Sequence, residues 1–344
     1  MRLGFGLITC QRFPGDTRSD EELYADALDL AVYAEELGFD SVWVSEHHFV
    51  DDGYLPSLLP MCAAIAARTR RVEIGTGLLL IPLHDPVRVA EDAAAVDLIS
   101  RGRLILGLGL GWREEEFEGF GVPVGERVRR LEHAMTVLRG AWAGEPVSGN
   151  GTQVIVTPRP GRTGGPPIWI GAEVERAVRR AGRIADGFIA SGDEPEAFGS
   201  QVRWALDEHG DRPFDVGLHM STFAWNGPDA WEVIRPHLRY VSWKYEDMED
   251  ARLRPGGSPE PPPMTAEQEA ALRDEIVLGT PREVADRIRT FEDAAGTDLH
   301  SSRTSPGPGW TPRCSVRRCG SSPGRSPRSC VDAQPSSALP ISLR

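Results

Sequence analysis

EIGTGLLLIPLHDPVRVAEDAAAVDLISRGRLILGLGL, residues 73–110, holds one complete repeat of the unit that decides the fold. Glu73–Ile81 is a short apolar run of strand character, a helix follows Pro86 to about Ser100, and Leu104–Leu110 is apolar again. A strand, a helix and a second buried strand make a parallel unit, because parallel strands need a crossover between them. The same unit recurs outward in both directions. Upstream, Leu3–Thr9 reads as a strand, and Ser19 with Glu22 forms a capping box that opens a helix. Leu23, Ala27, Leu30, Ala31 and Ala34 keep the helical spacing, Gly38 is a C-cap, and Ser41–Ser45 is the next strand. A helix near Leu58–Thr69 completes that side.

Downstream, a long helix spans Glu126–Ala143 and residues 147–157 alternate as a hairpin. Strands Ile168–Gly171, Gly187–Ala190 and Val216–Phe223 alternate with helices Glu173–Ala185 and Ala197–His209. Residues 226–275 break the pattern as an insertion, and their Pro/Gly-rich stretch 254–263 reads as a loop. Thr280 with Pro281 opens the last helix, and Asp298–His300 begins an eighth strand. Eight such units predict an α/β fold, a (β/α)8 TIM barrel with insertions, over residues 1–300. The second reading is an open doubly wound sheet.

Composition excludes several classes. Of 344 residues 40% are hydrophobic and 26% charged, ordinary globular values. The net charge of −13 opposes a nucleic-acid coat. No apolar run is long enough for a membrane span, and the first residues lack the apolar core of a secretion signal. Five cysteines, an odd number, fit a reducing cytoplasm. Cys10 and Cys62 have no C-x-x-C partner and read as packed residues.

The chain changes character after about residue 300. Residues 301–344 hold seven Arg, one acid, eleven Ser, seven Pro and three Cys, leaving 31 basic and 50 acidic side chains upstream. The chain has 37 Arg and the single Lys244, the usage of GC-rich coding DNA. Read one base out of register, the codons of residues 314–328 permit an amphipathic helix. Residues 301–344 therefore read as a frame-shifted, disordered tail. It is expected to interrupt the eighth strand, expose barrel edges and leave the printed protein poorly stable.

In a barrel the chemistry lies at the C-terminal strand ends. Strand 2 runs into Glu46-His47-His48-Phe49. Adjacent strand residues face opposite ways, so both imidazoles reach the mouth only if the strand has ended. One packed and one solvated histidine, a proton-transfer histidine and a metal ligand are the three readings. Gly75-Thr76-Gly77 in strand 3 marks either a flat ring system close to the backbone or close packing. Gly107-Leu-Gly109-Leu-Gly111 in strand 4 lacks the spacing of a dinucleotide fingerprint. Gly171-Ala172-Glu173 runs straight into a helix, a place for a phosphate, with Arg159 as the arginine that would fold over it. Glu114–Glu116 reads as a solvated helix face.

These segments together resemble the bacterial luciferase-like flavin-dependent oxidoreductases. The resemblance is carried by residues 36–43 (ELGFDSVW), 46–49 (EHHF), 75–77 (GTG), 85–92 (DPVRVAED), 97–103 (DLISRGR), 109–117 and 166–171 (PPIWIG). It implies a TIM barrel binding reduced FMN or the 8-hydroxy-5-deazaflavin coenzyme at the strand ends, with no metal. The resemblance implies first a monooxygenase using reduced FMN and O2 on a small organic substrate, and as the alternative a deazaflavin-dependent hydride-transfer enzyme. His47 takes the place of the catalytic histidine. Thr76, Gly77 and Leu78 pass beside the flavin ring, often with a non-proline cis peptide, next to Gly107 and Gly109. Gly171, Ala172, Glu173 and Val174 hold the phosphate, although Val174 and Leu110 replace a serine and an arginine of luciferase. A cytoplasmic homodimer, a separate flavin reductase and a lid from residues 226–275 complete the expectation. A non-catalytic flavin-binding protein on the same fold is the reading of another class. Resequencing the gene around codon 301 is expected to reveal a missing base; the printed frame intact in close relatives overturns this.

Overall fold

The computed structural model describes residues 1–192, 194–250, 261–297 and 299–304. The chain runs β1 (Arg2–Ile8), α1 (Asp20–Leu37), β2 (Ser41–Val44), α2 (Leu58–Arg68), β3 (Glu73–Thr76), β4 (Leu79–Leu80) and α3 (Pro86–Ser100). It continues as β5 (Leu104–Gly109), α4 (Glu114–Gly119), α5 (Arg127–Ala143), β6 (Ile168–Gly171), α6 (Glu175–Ile184), β7 (Gly187–Ser191) and α7 (Pro195–His209). The last part is β8 (Asp215–Ala224), α8 (Ala230–Asp250), α9 (Ala266–Asp274), β9 (Val277–Gly279), α10 (Pro281–Ala295) and β10 (Leu299–Thr304).

Strands β1, β2, β3, β5, β6, β7, β8 and β10 pair in that order, all parallel, and β10 pairs back onto β1. The ring is closed, which removes the open-sheet alternative. The eighth strand does not stop at His300: Leu299–Thr304 pairs with Val216–Ser221, and His300–Arg303 with Arg2–Phe5. The ladder bonds of a strand are made by backbone groups, so Ser301, Ser302 and Arg303 extend it whatever the reading frame implied. The expected exposed edge is thus absent at β1 and β8. The reading of residues 305–344 as a frame-shifted tail lies outside the described residues.

Local chemistry places the helices. Ser19 and Glu22 form the expected capping box of α1, Gly38 closes it in the left-handed conformation, and Thr280 with Glu283 caps α10 in the same way. The hairpin over 147–157 shrinks to one antiparallel bridge, Val147 to Val154. The insertion is more ordered than its composition suggested. It contains α8 and α9, with Pro236 inside α8, and β9 comes directly after the insertion, while most of the 254–263 loop lies outside the described residues.

Side chains alternate strictly along the strands. Val42, Val44, Leu104, Leu106 and Leu108 join the layer under the helices, while Trp43, Ile105, Trp169 and Ile189 fill the barrel interior. Trp43 and Trp169 lie 5.5 Å apart between ring centroids. They fit because glycines face them: a Cβ on Gly75 would lie 2.2 Å from Trp43, and one on Gly187 2.7 Å from Trp169. The strand-3 glycine is therefore explained at Gly75 by an indole of the protein itself, the close-packing reading.

His300 stands edge-on to both indoles. Trp43 Nε1 donates to Ser41 Oγ at 2.8 Å, and Ser41 Oγ lies 2.6 Å from His300 Nε2, so the hydroxyl hydrogen is free to go to an unprotonated ring nitrogen. Burial, reinforced by the Arg2 charge, pulls the imidazole down to about 3. Below pH 6.5 the unfolded chain takes up a proton that the folded His300 refuses. Stability is therefore complete above that pH and falls as pH drops toward the folded value. Urea denaturation at pH 7.5 and 5.0 is expected to show a loss of about 2 kcal/mol from this group, a loss that His300→Leu removes.

Candidate active site at the C-terminal mouth of the barrel

Strand β2 ends at Val44, and residues 45–49 are no longer strand. The alternation constraint is lifted, and His47 and His48, adjacent in sequence, turn to different buried carboxylates. His47 Nδ1 lies 2.8 Å from Glu116 Oε1, and the same oxygen accepts the His48 backbone N–H at 2.9 Å. His48 Nε2 lies 2.7 Å from Glu46 Oε1, and His84 Nε2 lies 2.8 Å from that oxygen. Leu80 N–H donates to Glu46 Oε2. His47 and His48 are both buried, as are the two carboxylates.

Burial alone would push the Glu46 carboxyl up. Hydrogen bonds and charge from His48 and His84 outweigh it and hold the group below its usual range. Glu46, His48 and His84 place three ligand-type atoms within 4.8 Å of one another. Each imidazole already gives its Nε2 hydrogen to the carboxylate, and neither Nδ1 has an acceptor among the described residues. Metal-bound histidines almost always have that second partner. The trio reads as a brace that ties the end of β2 to the segment after β4.

Glu116 was missed by sequence reasoning, which put Glu114–Glu116 on a solvated face. Glu114 is exposed, but Glu116 is 0% exposed, beside the buried Phe117 on the short α4. Nothing local distinguishes three consecutive glutamates; the partner of Glu116 is 69 residues away. With Nδ1 of His47 donating to this carboxylate, Nε2 carries the lone pair, and it has no hydrogen-bond partner among the described residues. Aromatic rings stand around it: Tyr54 at 4.8 Å, Tyr245 at 5.6 Å and Trp112 at 5.8 Å between centroids. Burial raises the phenols of Tyr54 and Tyr245, so both stay neutral.

Tyr245 comes from the insertion. Helix α8 is fastened to the mouth by Tyr240, which donates to Asp52 Oδ2 at 2.8 Å, by Lys244, which pairs with Asp51, and by the Tyr54–Tyr245 hydroxyl contact at 3.1 Å. Burial would lower the Lys244 ammonium, but its bond to Asp51 and the nearby acids raise it.

The other sequence-predicted residues divide. Thr76 is fully buried, its hydroxyl donating to Gly107 O at 2.7 Å. The Gly77–Leu78 peptide is cis, as the resemblance led us to expect. Leu78, half-buried, occupies the space that side chains at Gly109 and Gly171 would take; a Cβ on Gly171 would lie 2.1 Å from it. Gly107 faces the Thr76 carbonyl. These glycines accommodate β3 and Leu78, which then line the mouth. Ala172, Glu173 and Val174 are at its rim, with Val174 67% exposed. Val174 caps α6 without a side-chain bond, and the N–H groups of Glu175 and Arg176 have no acceptor among the described residues. The exposed Arg176 has no ion pair among them either. Arg159 packs against Gly144 instead of covering this turn. Free N–H groups, a helix N-terminus and a nearby cation fit a phosphate, and the apolar Leu78 at the end of β3 fits a ring system. Cys10 and Cys62 are buried thiols, pushed up to about 12 by desolvation, and are not nucleophiles. A cavity of about 230 Å³ beside β8 and β9, lined by Met220, Ile276 and Leu278, shares no residue with this site.

A family model described as luciferase-like monooxygenase matches residues 3–298. An F420-dependent glucose-6-phosphate dehydrogenase from Microbacterium testaceum is 39% identical over 53% of this chain and 57% of its own length. The chain thus aligns with little more than half the length of such relatives. The oxygenase component of a flavin-dependent trigonelline monooxygenase from Acinetobacter baylyi is 25% identical over 86% of this chain and 88% of its own. The structure of monooxygenase RslO1 from Streptomyces bottropensis superposes with a TM-score of 0.73 at 24% identity, over 90% of this chain and 93% of that one.

The brace gives a direct test. Glu46→Ala leaves two imidazole N–H groups and the Leu80 N–H without their acceptor. Urea denaturation is expected to show a loss of about 3 kcal/mol. His84→Ala, which removes one arm at the half-exposed side, is expected to lose about 1 kcal/mol.

Proposed function

The chain belongs to the luciferase-like monooxygenase family, and from that premise we propose that it is an oxidoreductase using a reduced deazaflavin or flavin, with His47 as its proton-transferring residue. The observation that carries this reading is the His47–Glu116 pair, buried at the mouth of the barrel with Nε2 left to act. Bound there, the cofactor supplies the hydride or oxygen chemistry. The chain supplies the rest. Leu78 and the β3 end give the ring its apolar seat, and the α6 N-terminus with Arg176 holds the phosphate. Nε2 of His47 gives or takes the substrate proton. Glu116 fixes the tautomer and stabilises the imidazolium that forms, so the ring need not reorient. Helix α8 covers the mouth and limits water.

Between the two cofactors we favour the deazaflavin. The phosphate turn has no hydroxyl cap, and several similar proteins are named as F420-dependent dehydrogenases. The FMN reading, a monooxygenase fed by a separate reductase, is supported by the Acinetobacter baylyi relative, which this chain matches along most of its length. Fluorescence titration under argon with each reduced cofactor separates them: deazaflavin binding alone supports the first, FMN binding alone the second, and binding of neither overturns the function. His47→Ala is expected to lower kcat by roughly 10²–10⁴-fold and Glu116→Gln by roughly tenfold. Unchanged turnover in His47→Ala removes the assigned role.

A further inference from the structure

Resting on that reading of the site, we propose that its substrate is a small aromatic molecule carrying no anionic group. The centroids of His47, Trp112 and Tyr245 form a nearly equilateral triangle with sides of 5.6, 5.8 and 6.5 Å. The Trp112 and Tyr245 planes are within 31° of parallel, whereas both stand close to perpendicular to His47. Their 6.5 Å separation is close to two stacking contacts of about 3.5 Å each, so a small adjustment of Trp112 admits one flat ring between them. Trp112 is free to give it: 39% of its surface is uncovered, while Tyr54 and Tyr245 are tied together through their hydroxyls. A ring held there lies edge-to-face with His47, with its substituent beside the Nε2 that moves the proton.

The charge around this slot selects against anions. Glu116 Oε2 is buried with no partner among the described residues, and Asp51 and Asp52 lie on the loop after β2. Two cations on the His47 side of the mouth are engaged through their terminal nitrogens, while Arg176 lies at the α6 turn. Arg113 holds the His48 carbonyl and Glu115, and Lys244 holds Asp51 and Asp247. A phosphate or carboxylate brought to His47 would come close to the buried Glu116 carboxylate, whose Oε2 has no partner among the described residues, unlike the helix N-terminus at α6. The substrate therefore differs in class from the sugar phosphate that names the relative from Microbacterium testaceum.

Isothermal titration of the full chain, with and without cofactor, tests this with benzyl alcohol, benzoate, cyclohexylmethanol and glucose 6-phosphate. Benzyl alcohol is expected to bind at least tenfold tighter than the other three. Trp112→Ala is expected to lose about tenfold of that affinity while keeping its thermal midpoint and cofactor affinity. Benzoate, cyclohexylmethanol or glucose 6-phosphate binding as tightly as benzyl alcohol overturns the proposal, as does the absence of benzyl alcohol binding. The preference is read in cofactor-free protein, so a failure of the cofactor titrations overturns the oxidoreductase reading without touching this one.

Discussion

A ring of parallel strands exists only if its first and last members find each other. Here that meeting is between β1, β8 and β10, and every other placement follows from it. Closure fixes an interior of limited width, and the chain fills it with two tryptophans, two isoleucines and a histidine. It makes room for them by deleting side chains opposite, at Gly75 and Gly187. The floor beneath the site is thus rigid and aromatic, and the strand ends above it stand at set distances. A loose interior would let the β2 end drift, and with it the histidines that follow.

The site applies the same economy to charge. Two buried carboxylates flank the end of β2, and each fastens one of two consecutive histidines. Glu46 faces three donors from two segments and serves as an architectural anchor. Glu116 keeps one oxygen unused and serves the ring that does chemistry. Sequence neighbours thereby acquire separate duties through partners that are far apart in the chain.

What was legible in the sequence was what local chemistry decides. The capping boxes at Ser19 and Thr280, the glycine after α1 and the apolar runs of the strands each depend on residues within one turn or one pleat. What was not legible depends on closure. Glu116 looks like Glu114 and Glu115 until α4 is folded against the β2 end. Helix α8 carries an apolar stripe of Trp231, Ile234, Leu238, Val241, Tyr245 and Met248, but Pro236 and the Pro/Gly-rich stretch after it masked the stripe, and the bonds of Tyr240 to Asp52 and of Lys244 to Asp51 join residues 188 and 193 positions apart. Strand β10 extends through Ser301 and Ser302 because backbone pairing asks little of the side chains. The histidine motif was found, but the direction of each ring awaited the point at which the strand ended.

The burial of the single lysine has a practical consequence. Lys244 is 5% exposed and held between Asp51 and Asp247, and the sequence offers no other side-chain amine. Lysine-directed coupling chemistry would therefore find its one target shielded between α8 and the loop after β2, and would leave the surface around the mouth unlabelled as long as that helix stays in place.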